Sequence, residues 1–558
     1  MGKHDKAVNC LDEAIRVFKL SNGGMNKTLA DVYELKGDAL YEVNENEMAA
    51  SMFQECVDLF CSSEHDDART AVLNHKLGRA FVKLGDYTEA FKSYHEAIRI
   101  FSDTLGKDDL AVGDVMHDVG LLIVDQGGHD ASEKALSCFN EVTRIYGVNG
   151  KGRVSKVADA LVQKSTLLAD FDEVATVLNE AIAIYKELLG EDAAEIGNAI
   201  LLHGKLHEDQ HNDDEAMAAF NEALRIFQIS FGDDDINVSI CLSHIGKIHA
   251  RKLEYSEAVY KCKRALKIRV SLGGQEQDIA DSVLNIGNIL SDWGKADEAL
   301  EYFQQGLKIF IHLGGEDSIS AAKCEAKLGA IYCDRKDFDR SLPLLLHALR
   351  VFEEENEEDV HTVVASIHQG IGACYYYKCE YDRALESFAK CLQMHKLEHG
   401  DDCIEMASPC DCIGLIYQRK GRYDEAINFH SKALHIHETC HGRGSKECAS
   451  SDFNVAKCLL ASHEYEKCII RIRNHLELFC DESCDDEELS NVYHTLGLAQ
   501  NALGDHEESI GSLNRVLAIR TKLDGKSSFQ VAETLLDMAK VVEELGDSEQ
   551  VSMNAKSP

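Results

Sequence analysis

Small and large apolar residues alternate along residues 70–111 with the spacing of a helix face, and this pattern predicts two amphipathic helices joined by a tight turn. The first helix carries Leu77 and Gly78, and the second carries Ala90 and Tyr94. Small residues let two helices approach closely, and large side chains fill the space that remains. We therefore predict that the two helices fold back on each other as a hairpin.

The same pattern recurs along nearly the whole chain with a period of ~42 residues. Ten of the thirteen residues equivalent to Gly78, here called anchors, are glycine, and the others are serine or alanine. Glycine costs about 1 kcal/mol relative to alanine inside a helix, so its recurrence indicates close helix–helix contact rather than helix propensity. The anchors are Gly37, Gly78, Gly120, Ser165, Gly204, Gly246, Gly287, Gly329, Gly372, Gly414, Ala456, Gly497 and Ala539.

Two neighbouring repeats differ in length in ways that compensate. The repeat anchored at Gly120 has three more residues between its helices than the repeat of Gly78, and the repeat anchored at Ser165 has three fewer. A stack of repeats tolerates length changes in its turns. We therefore predict that the changes lie in the turns near residues 127–129 and 169–172.

The repeat pattern divides the chain into three predicted parts. Residues 1–22 match a second helix without a first, residues 23–545 hold twelve full repeats followed by a lone first helix that caps the stack, and residues 546–558 form a disordered tail. One face of the N-terminal helix therefore lacks a partner. We expect either that the chain belongs to a longer product or that this face docks on something, for example through self-association of the N-terminal half-repeat.

The chain is strongly acidic, since 97 Asp and Glu against 58 Lys and Arg give a formal net charge of −39. Such a chain repels nucleic acid and anionic membrane surfaces, so neither is expected as a partner. No apolar run approaches the length of a membrane span, and membrane insertion is not expected. The first residues lack the order of a secretory signal, so the 20 cysteines are predicted to be reduced thiols and the protein cytoplasmic.

The motif L-G-x-x-Y/F in first helices, paired with A-x-x-x-F/Y-x-x-A in second helices, resembles the tetratricopeptide repeat. The ~42-residue period and the connector L-G-K-D-D at residues 105–109 resemble the kinesin light chain type. The resemblance implies an all-α solenoid of stacked helix hairpins wound as a right-handed superhelix. It also implies a non-enzymatic scaffold that binds peptide segments of other proteins in a concave groove. Two alternatives are a cargo adaptor of a microtubule motor and the sensor tail of a larger signalling ATPase.

By the same resemblance, the groove is lined by first-helix residues three and two before the anchor and one, four and five after it. Basic residues there are unexpected in so acidic a chain, and they suggest a groove for acidic or C-terminal peptide segments. The alternative is ordinary solvated helix surface. Two adjacent tyrosines would hold an apolar group of a partner or else enlarge the local core. The predicted groove residues are Arg79, Lys83, Lys205, Lys247, Arg251, Asn285, Tyr376, Tyr377, Arg419, Asn454 and Lys457.

Other chemistry has little support in the sequence. His395, His399 and Cys403 follow one another at steps of four, but zinc needs four converging ligands. Cys410 and Cys412 are two residues apart, and on a helix such residues point away from each other. The sequence has no phosphate-binding glycine loop, calcium loop or paired catalytic residues. We therefore predict no enzyme activity, no metal and no cofactor.

Overall fold

The protein is almost entirely helical in the computed structural model. The residues that the structure describes are 4–20, 26–61, 68–128, 130–150, 154–355, 361–400, 403–479, 486–525 and 528–555. Within them lie 26 α-helices, one short 3-10 turn at Ile404–Met406 and no strand, which confirms the predicted all-α fold. The helices are α1 His4–Leu20, α2 Asn26–Glu42, α3 Asn46–Cys61, α4 Ala68–Leu84, α5 Tyr87–Thr104, α6 Leu110–Gln126, α7 Ala131–Val148, α8 Ser155–Ser165, α9 Phe171–Leu189, α10 Ala194–Asp209, α11 Asp213–Phe231, α12 Ile236–Arg251, α13 Tyr255–Ser271, α14 Glu276–Asp292, α15 Ala296–Gly314, α16 Ile319–Asp334, α17 Phe338–Glu355, α18 His361–Tyr377, α19 Tyr381–His399, α20 Ala407–Arg419, α21 Tyr423–His441, α22 Lys446–Ala461, α23 Tyr465–Phe479, α24 Asp486–Leu503, α25 His506–Asp524 and α26 Phe529–Ala555.

Most of the glycine anchors lie against a large side chain sixteen positions further along the chain. A Cβ atom on Gly78 would be 2.5 Å from the ring of Tyr94, and one on Gly204 would be 2.7 Å from the ring of Phe220. Both rings are fully buried. The distances are well inside van der Waals contact, so only glycine fits without displacing the ring. The predicted alternation of small and large residues is therefore the packing that closes each hairpin.

Within the described residues, consecutive helices pair as twelve hairpins, from α2 with α3 to α24 with α25. In eleven of these hairpins the residue seven positions after the anchor has a positive φ, which ends the first helix. Five of these residues are glycine, but six are not, for example Leu253 with φ 62° and Lys336 with φ 60°. The turn therefore imposes this conformation even on residues that seldom adopt it.

For the two repeats of unusual length, the structure places the longer turn where it was predicted but not the shorter one. α6 ends at Gln126 and α7 begins at Ala131, so the longer repeat does have a longer turn, of which residue 129 is outside the described residues. In the shorter repeat α8 ends at its own anchor, Ser165, whereas other first helices continue beyond theirs. The Asp170 side chain accepts a hydrogen bond from the backbone N–H of residue 173 and fixes the start of α9. The predicted short turn at 169–172 is therefore wrong, because the first helix has lost its last turn instead.

The chain forms two compact units, residues 1–274 and 275–558. In the first unit one apolar cluster runs from Ile15 of α1 through α2 and α3 to Leu77 of α4. In the second unit a cluster joins Ala322 of α16 to Phe352 of α17 and Ile367 of α18. Each hairpin thus buries its apolar face against its neighbours, which confirms a solenoid within each unit.

The C-terminal helix is longer than the sequence predicted. α26 continues to Ala555, into the segment 546–558 that was expected to be disordered. The one glycine in that stretch, Gly546, costs only about 1 kcal/mol inside a helix, and the next proline is Pro558, so nothing forces an earlier end. Residues 556–558, and the predicted boundary between residues 22 and 23, lie outside the described residues.

Candidate functional site

The eleven predicted groove residues all lie on first helices, namely α4, α10, α12, α14, α18, α20 and α22. We call these positions, three and two before the anchor and one, four and five after it, the first-helix face of a hairpin. Arg79, Lys83, Lys247 and Arg419 are exposed, whereas Asn454 is buried. The first-helix face is therefore open at most of the predicted positions but closed at one of the two predicted asparagines.

Arg79 and Lys83 line an open cavity of about 530 Å³ in the first unit. The Lys83 ammonium lies 4.3 Å from the centroid of the Tyr41 ring and 3.3 Å from the side-chain oxygen of Asn44. The Arg79 guanidinium lies 3.5 Å from the carboxylate of Asp118 on the next first helix. Three successive first helices, α2, α4 and α6, thus contribute to one cavity that combines cations, an aromatic ring and apolar walls.

Asp118 is the acidic centre of this cavity. The Nε2 atom of His75 lies 2.8 Å from its carboxylate. Burial alone would raise the pKa of Asp118, but hydrogen bonds from His117 and His75 and the charge of Arg79 outweigh burial and hold the pKa well below its usual range. Asp118 is therefore ionised and partly neutralises Arg79. Sequence reasoning missed this residue, because the pattern within one repeat does not show which side chain of the next repeat it contacts.

The cations of α12 also have acidic neighbours. Arg251 pairs with Asp213 at 2.6 Å and with Glu208 at 3.4 Å. Burial would raise the pKa of Glu208, but a hydrogen bond from a histidine and the charges of Lys247 and Arg251 lower it overall. The side chain of Lys247 is exposed and that of Lys205 is half-buried. These two lysines therefore remain able to meet a carboxylate from outside.

Tyr376 and Tyr377 border a second cavity, of about 310 Å³, in the second unit. Tyr377 stacks on Phe338 with ring centroids 4.8 Å apart and is still 55% exposed. Tyr376 meets Tyr377 edge to face at 5.3 Å. A hydrogen bond from the Arg419 guanidinium to Tyr376 raises the pKa of Arg419. The structure thus brings three of the predicted residues into one aromatic cluster.

The remaining predicted residues are less open to a partner. Lys457 lies 5.1 Å from the centroid of the Phe453 ring, and burial lowers the pKa of its ammonium. Asn454 is buried and Asn285 is half-buried. The predicted grip of these asparagines on a peptide backbone therefore has weaker structural support than the cavities at Arg79 and Tyr376.

The described histidine, cysteine and acidic side chains are those that a metal site or a thiol nucleophile would need. No three His, Cys, Asp or Glu side chains among them are placed to hold a metal ion. Most of the described cysteines are buried free thiols, and burial raises the pKa of Cys391 to about 12, which makes it a poor nucleophile. None of the helices described is both long enough and apolar enough to span a bilayer.

Comparison with known proteins gives matches to one family. A tetratricopeptide repeat model matches residues 69–147, 195–271, 317–397 and 488–555, more than half of the chain, and two further tetratricopeptide repeat models match residues 280–310 and 410–441. Among solved structures, BtubC (BKLC) from P. vanneervenii aligns with a TM-score of 0.35 and 16% identity over 42% of this chain and 91% of that chain. A candidate kinesin light chain from Podosopora anserina with nearly identical TPR-like repeats aligns with a TM-score of 0.33 and 14% identity over 37% of this chain and 98% of that chain. A search of curated proteins found no match.

Proposed function

Because the chain belongs to the tetratricopeptide repeat family, we propose that it is a non-enzymatic scaffold that binds peptide segments of other proteins on its first-helix faces. The fold supports the general role, since stacked hairpins offer long surfaces on which a peptide segment can lie. The particular surface and the kind of peptide are proposed from the two cavities.

The single observation that carries the proposal is the cavity at Arg79 and Lys83. Its apolar walls, which include Val82 and Leu121, can bury an aliphatic side chain of a bound segment. Lys83 is bonded to an amide oxygen rather than to a carboxylate, so its ammonium can form a charge-assisted bond with an acidic residue of that segment. The arrangement supports a peptide that presents an acidic residue beside an apolar one.

The aromatic cluster of the second unit supports a second contact of the same kind. The exposed ring of Tyr377 offers a flat apolar surface, and the neighbouring Tyr376 is hydrogen-bonded to Arg419. Aromatic residues and arginine are enriched among the residues that contribute most to binding energy. A partner would therefore place an apolar side chain here.

Affinity capture followed by mass spectrometry tests the proposal. We expect proteins captured by the wild type to be lost by the double variant Arg79→Glu, Lys83→Glu. The matched control is Arg99→Glu, Lys134→Glu, two exposed cations on the second helices α5 and α7, and it should capture the same proteins as the wild type. Equal capture by all three proteins, with unchanged thermal unfolding, would contradict the proposal.

The narrower role of a motor cargo adaptor rests on the ~42-residue period and the connector at residues 105–109, and co-purification with a kinesin heavy chain would support it. The sensor tail of a signalling ATPase, cytoplasmic placement and self-association through the N-terminal half-repeat stay predictions.

A further inference from the structure

A separate groove lies among the helices of the second unit, where it is bounded by the second helices α21 and α23 with the first helix α22 as its floor. Its volume is about 630 Å³. We call it the second-helix groove, and none of the eleven predicted groove residues lines it. The residues of each helix that line it recur at steps of three and four, so three helix faces converge on one space. The lining residues are Asp424, Ile427, Asn428, Ser431, Leu434, Glu438, Asp452, Val455, Leu459, Glu464, Lys467, Ile470, Arg471, Asn474 and Leu478.

The second-helix groove has an apolar interior that reaches the surface. Val455 and Leu459 on the floor are buried, and they belong to the core of this part of the second unit. On the wall formed by α23, Ile470 is 62% exposed and Leu478 is 57% exposed. Large aliphatic side chains exposed beside an apolar cavity mark a surface where another molecule can bury area.

The two cations of the groove are already paired with acidic residues of the groove. The Arg471 guanidinium lies 2.7 Å from the carboxylate of Asp452. The Lys467 ammonium is bonded to the carboxylate of Glu464, and the charge of Asp424 acts on it as well. Four carboxylates against two cations leave the lining with a net charge of −2. The groove therefore lacks a free cation to offer a partner.

The excess negative charge lies at the two ends of the groove, on the carboxylates of Asp424 and Glu438. Asp424 begins the groove wall on α21 and Glu438 ends it, so fourteen helical residues, or about 21 Å, separate them. Glu438 lies 3.6 Å from Arg443, but Arg443 is itself highly exposed and contributes little as a surface pair. An incoming cation could therefore meet a carboxylate at either end.

We propose that the second-helix groove binds an extended segment of another protein that has an aliphatic centre and a basic residue at each end. An extended chain advances about 3.3 Å per residue, so basic residues about six positions apart span the two carboxylates. The apolar centre would lie against Ile470 and Leu478. The partner is thus the opposite in charge from the acidic segment proposed for the first-helix face, and the two sites can be tested separately.

The probe is a fluorescein-labelled, amidated heptapeptide, Lys-Leu-Ser-Ile-Ser-Leu-Lys, whose binding to the full chain is measured by fluorescence anisotropy. A matched peptide with glutamate at both ends has the same apolar centre. We expect the lysine peptide to bind at least about tenfold more tightly than the glutamate peptide. Equal affinities, or no binding of the lysine peptide up to about 1 mM, would overturn the proposal.

Variants then locate the site. Ile470→Gln and Glu438→Gln should each weaken the lysine peptide by about tenfold. Leu397→Gln is the control, because Leu397 is 64% exposed on α19 and does not line the groove. Arg79→Glu with Lys83→Glu should leave this peptide unaffected, which separates the groove from the first-helix face. A loss of affinity in the control equal to that in Ile470→Gln would also refute the site.

Discussion

At the scale of single residues, glycine has two different roles inside the helices of this protein. A Cβ atom on the anchor Gly287 would be 2.8 Å from the ring of Phe303, whereas one on Gly511 would have no neighbour within 4 Å. Both residues lie in the interior of a helix of the second unit. The first is required by packing, and the second only lowers helix propensity.

Alanine at these two positions should therefore have opposite effects. We expect Gly287→Ala to destabilise by about 1–2 kcal/mol, because overpacking outweighs the better helix propensity of alanine. Gly511→Ala should be neutral or should stabilise by up to about 1 kcal/mol. Urea unfolding monitored by circular dichroism measures both. A gain in stability at Gly287 would show that the ring of Phe303 moves aside easily and that the anchors are not packing constraints.

His368 is a buried titratable residue on α18 whose Nδ1 has no hydrogen-bond partner among the described residues. Burial lowers its pKa to about 4, below the ~6.5 of an unfolded chain. Because the folded state binds the proton less well than the unfolded state, the contribution to stability is complete above pH ~6.5 and is lost as the pH falls towards 4.

We expect the wild type to lose about 2 kcal/mol more than His368→Gln between pH 7 and pH 4.5, because the glutamine does not titrate. The measurement is the urea midpoint of both proteins at the two pH values. If the urea midpoints of the wild type and of His368→Gln fell by the same amount between the two pH values, the charged His368 would have to reach solvent or a partner.

The residues of the site were only partly predictable. The ~42-residue period correctly placed Arg79 and Tyr376 on first helices. It could not give the pairing of Arg79 with Asp118, or the burial of Asn454, because both depend on how far one hairpin is displaced from the next. Contacts between repeats are set by packing, and a single sequence shows only the pattern within each repeat.

At the scale of helices, one ion pair recurs between neighbouring hairpins. The residue that follows a first helix pairs with an aspartate at the second position of the preceding second helix. The cation lies at a helix C-terminus and the aspartate at a helix N-terminus, so each also complements a helix dipole. The pairs are Lys252 with Asp214, Arg335 with Asp297, Lys378 with Asp339 and Lys420 with Asp382, at 2.5–2.8 Å.

These exposed pairs should act weakly and depend on salt. We expect the triple variant Arg335→Gln, Lys378→Gln, Lys420→Gln to have a slightly lower urea midpoint than the wild type at low salt. The difference should disappear at about 0.5 M salt, where the Debye length is only a few ångströms. Lys446→Gln is the control, since Lys446 is an exposed lysine at the first position of α22 rather than the residue after a first helix. A loss that persists at high salt would mean that the side chains contribute by packing instead.

The existence of the helices followed from the sequence, but their ends did not. Pro409 lies in the first turn of α20, where its missing N–H has no helical partner to lose, so the proline is compatible with this start of the helix. The end of α8 was not predictable, because its lost turn and a shortened loop look the same in a count of residues. The end of α26 was missed because a polar composition alone does not stop a helix.

At the scale of the whole molecule, the resemblance to the tetratricopeptide repeat is confirmed by the family models and by the stacking within each unit. The fold follows from local pairings that every repeat copies, which is why one hairpin predicts so much of the chain. The partner does not follow from the fold, because function depends on the side chains placed on it.

The central claim is that partners bind to the first-helix faces, and site-specific photo-crosslinking tests it most directly. Benzoylphenylalanine would replace Tyr377, which is 55% exposed on the first helix α18, or Tyr260, which is 60% exposed on the second helix α13. We predict that a captured partner crosslinks from position 377 and not from position 260. Crosslinks from position 260 in the absence of any from position 377 would contradict the claim.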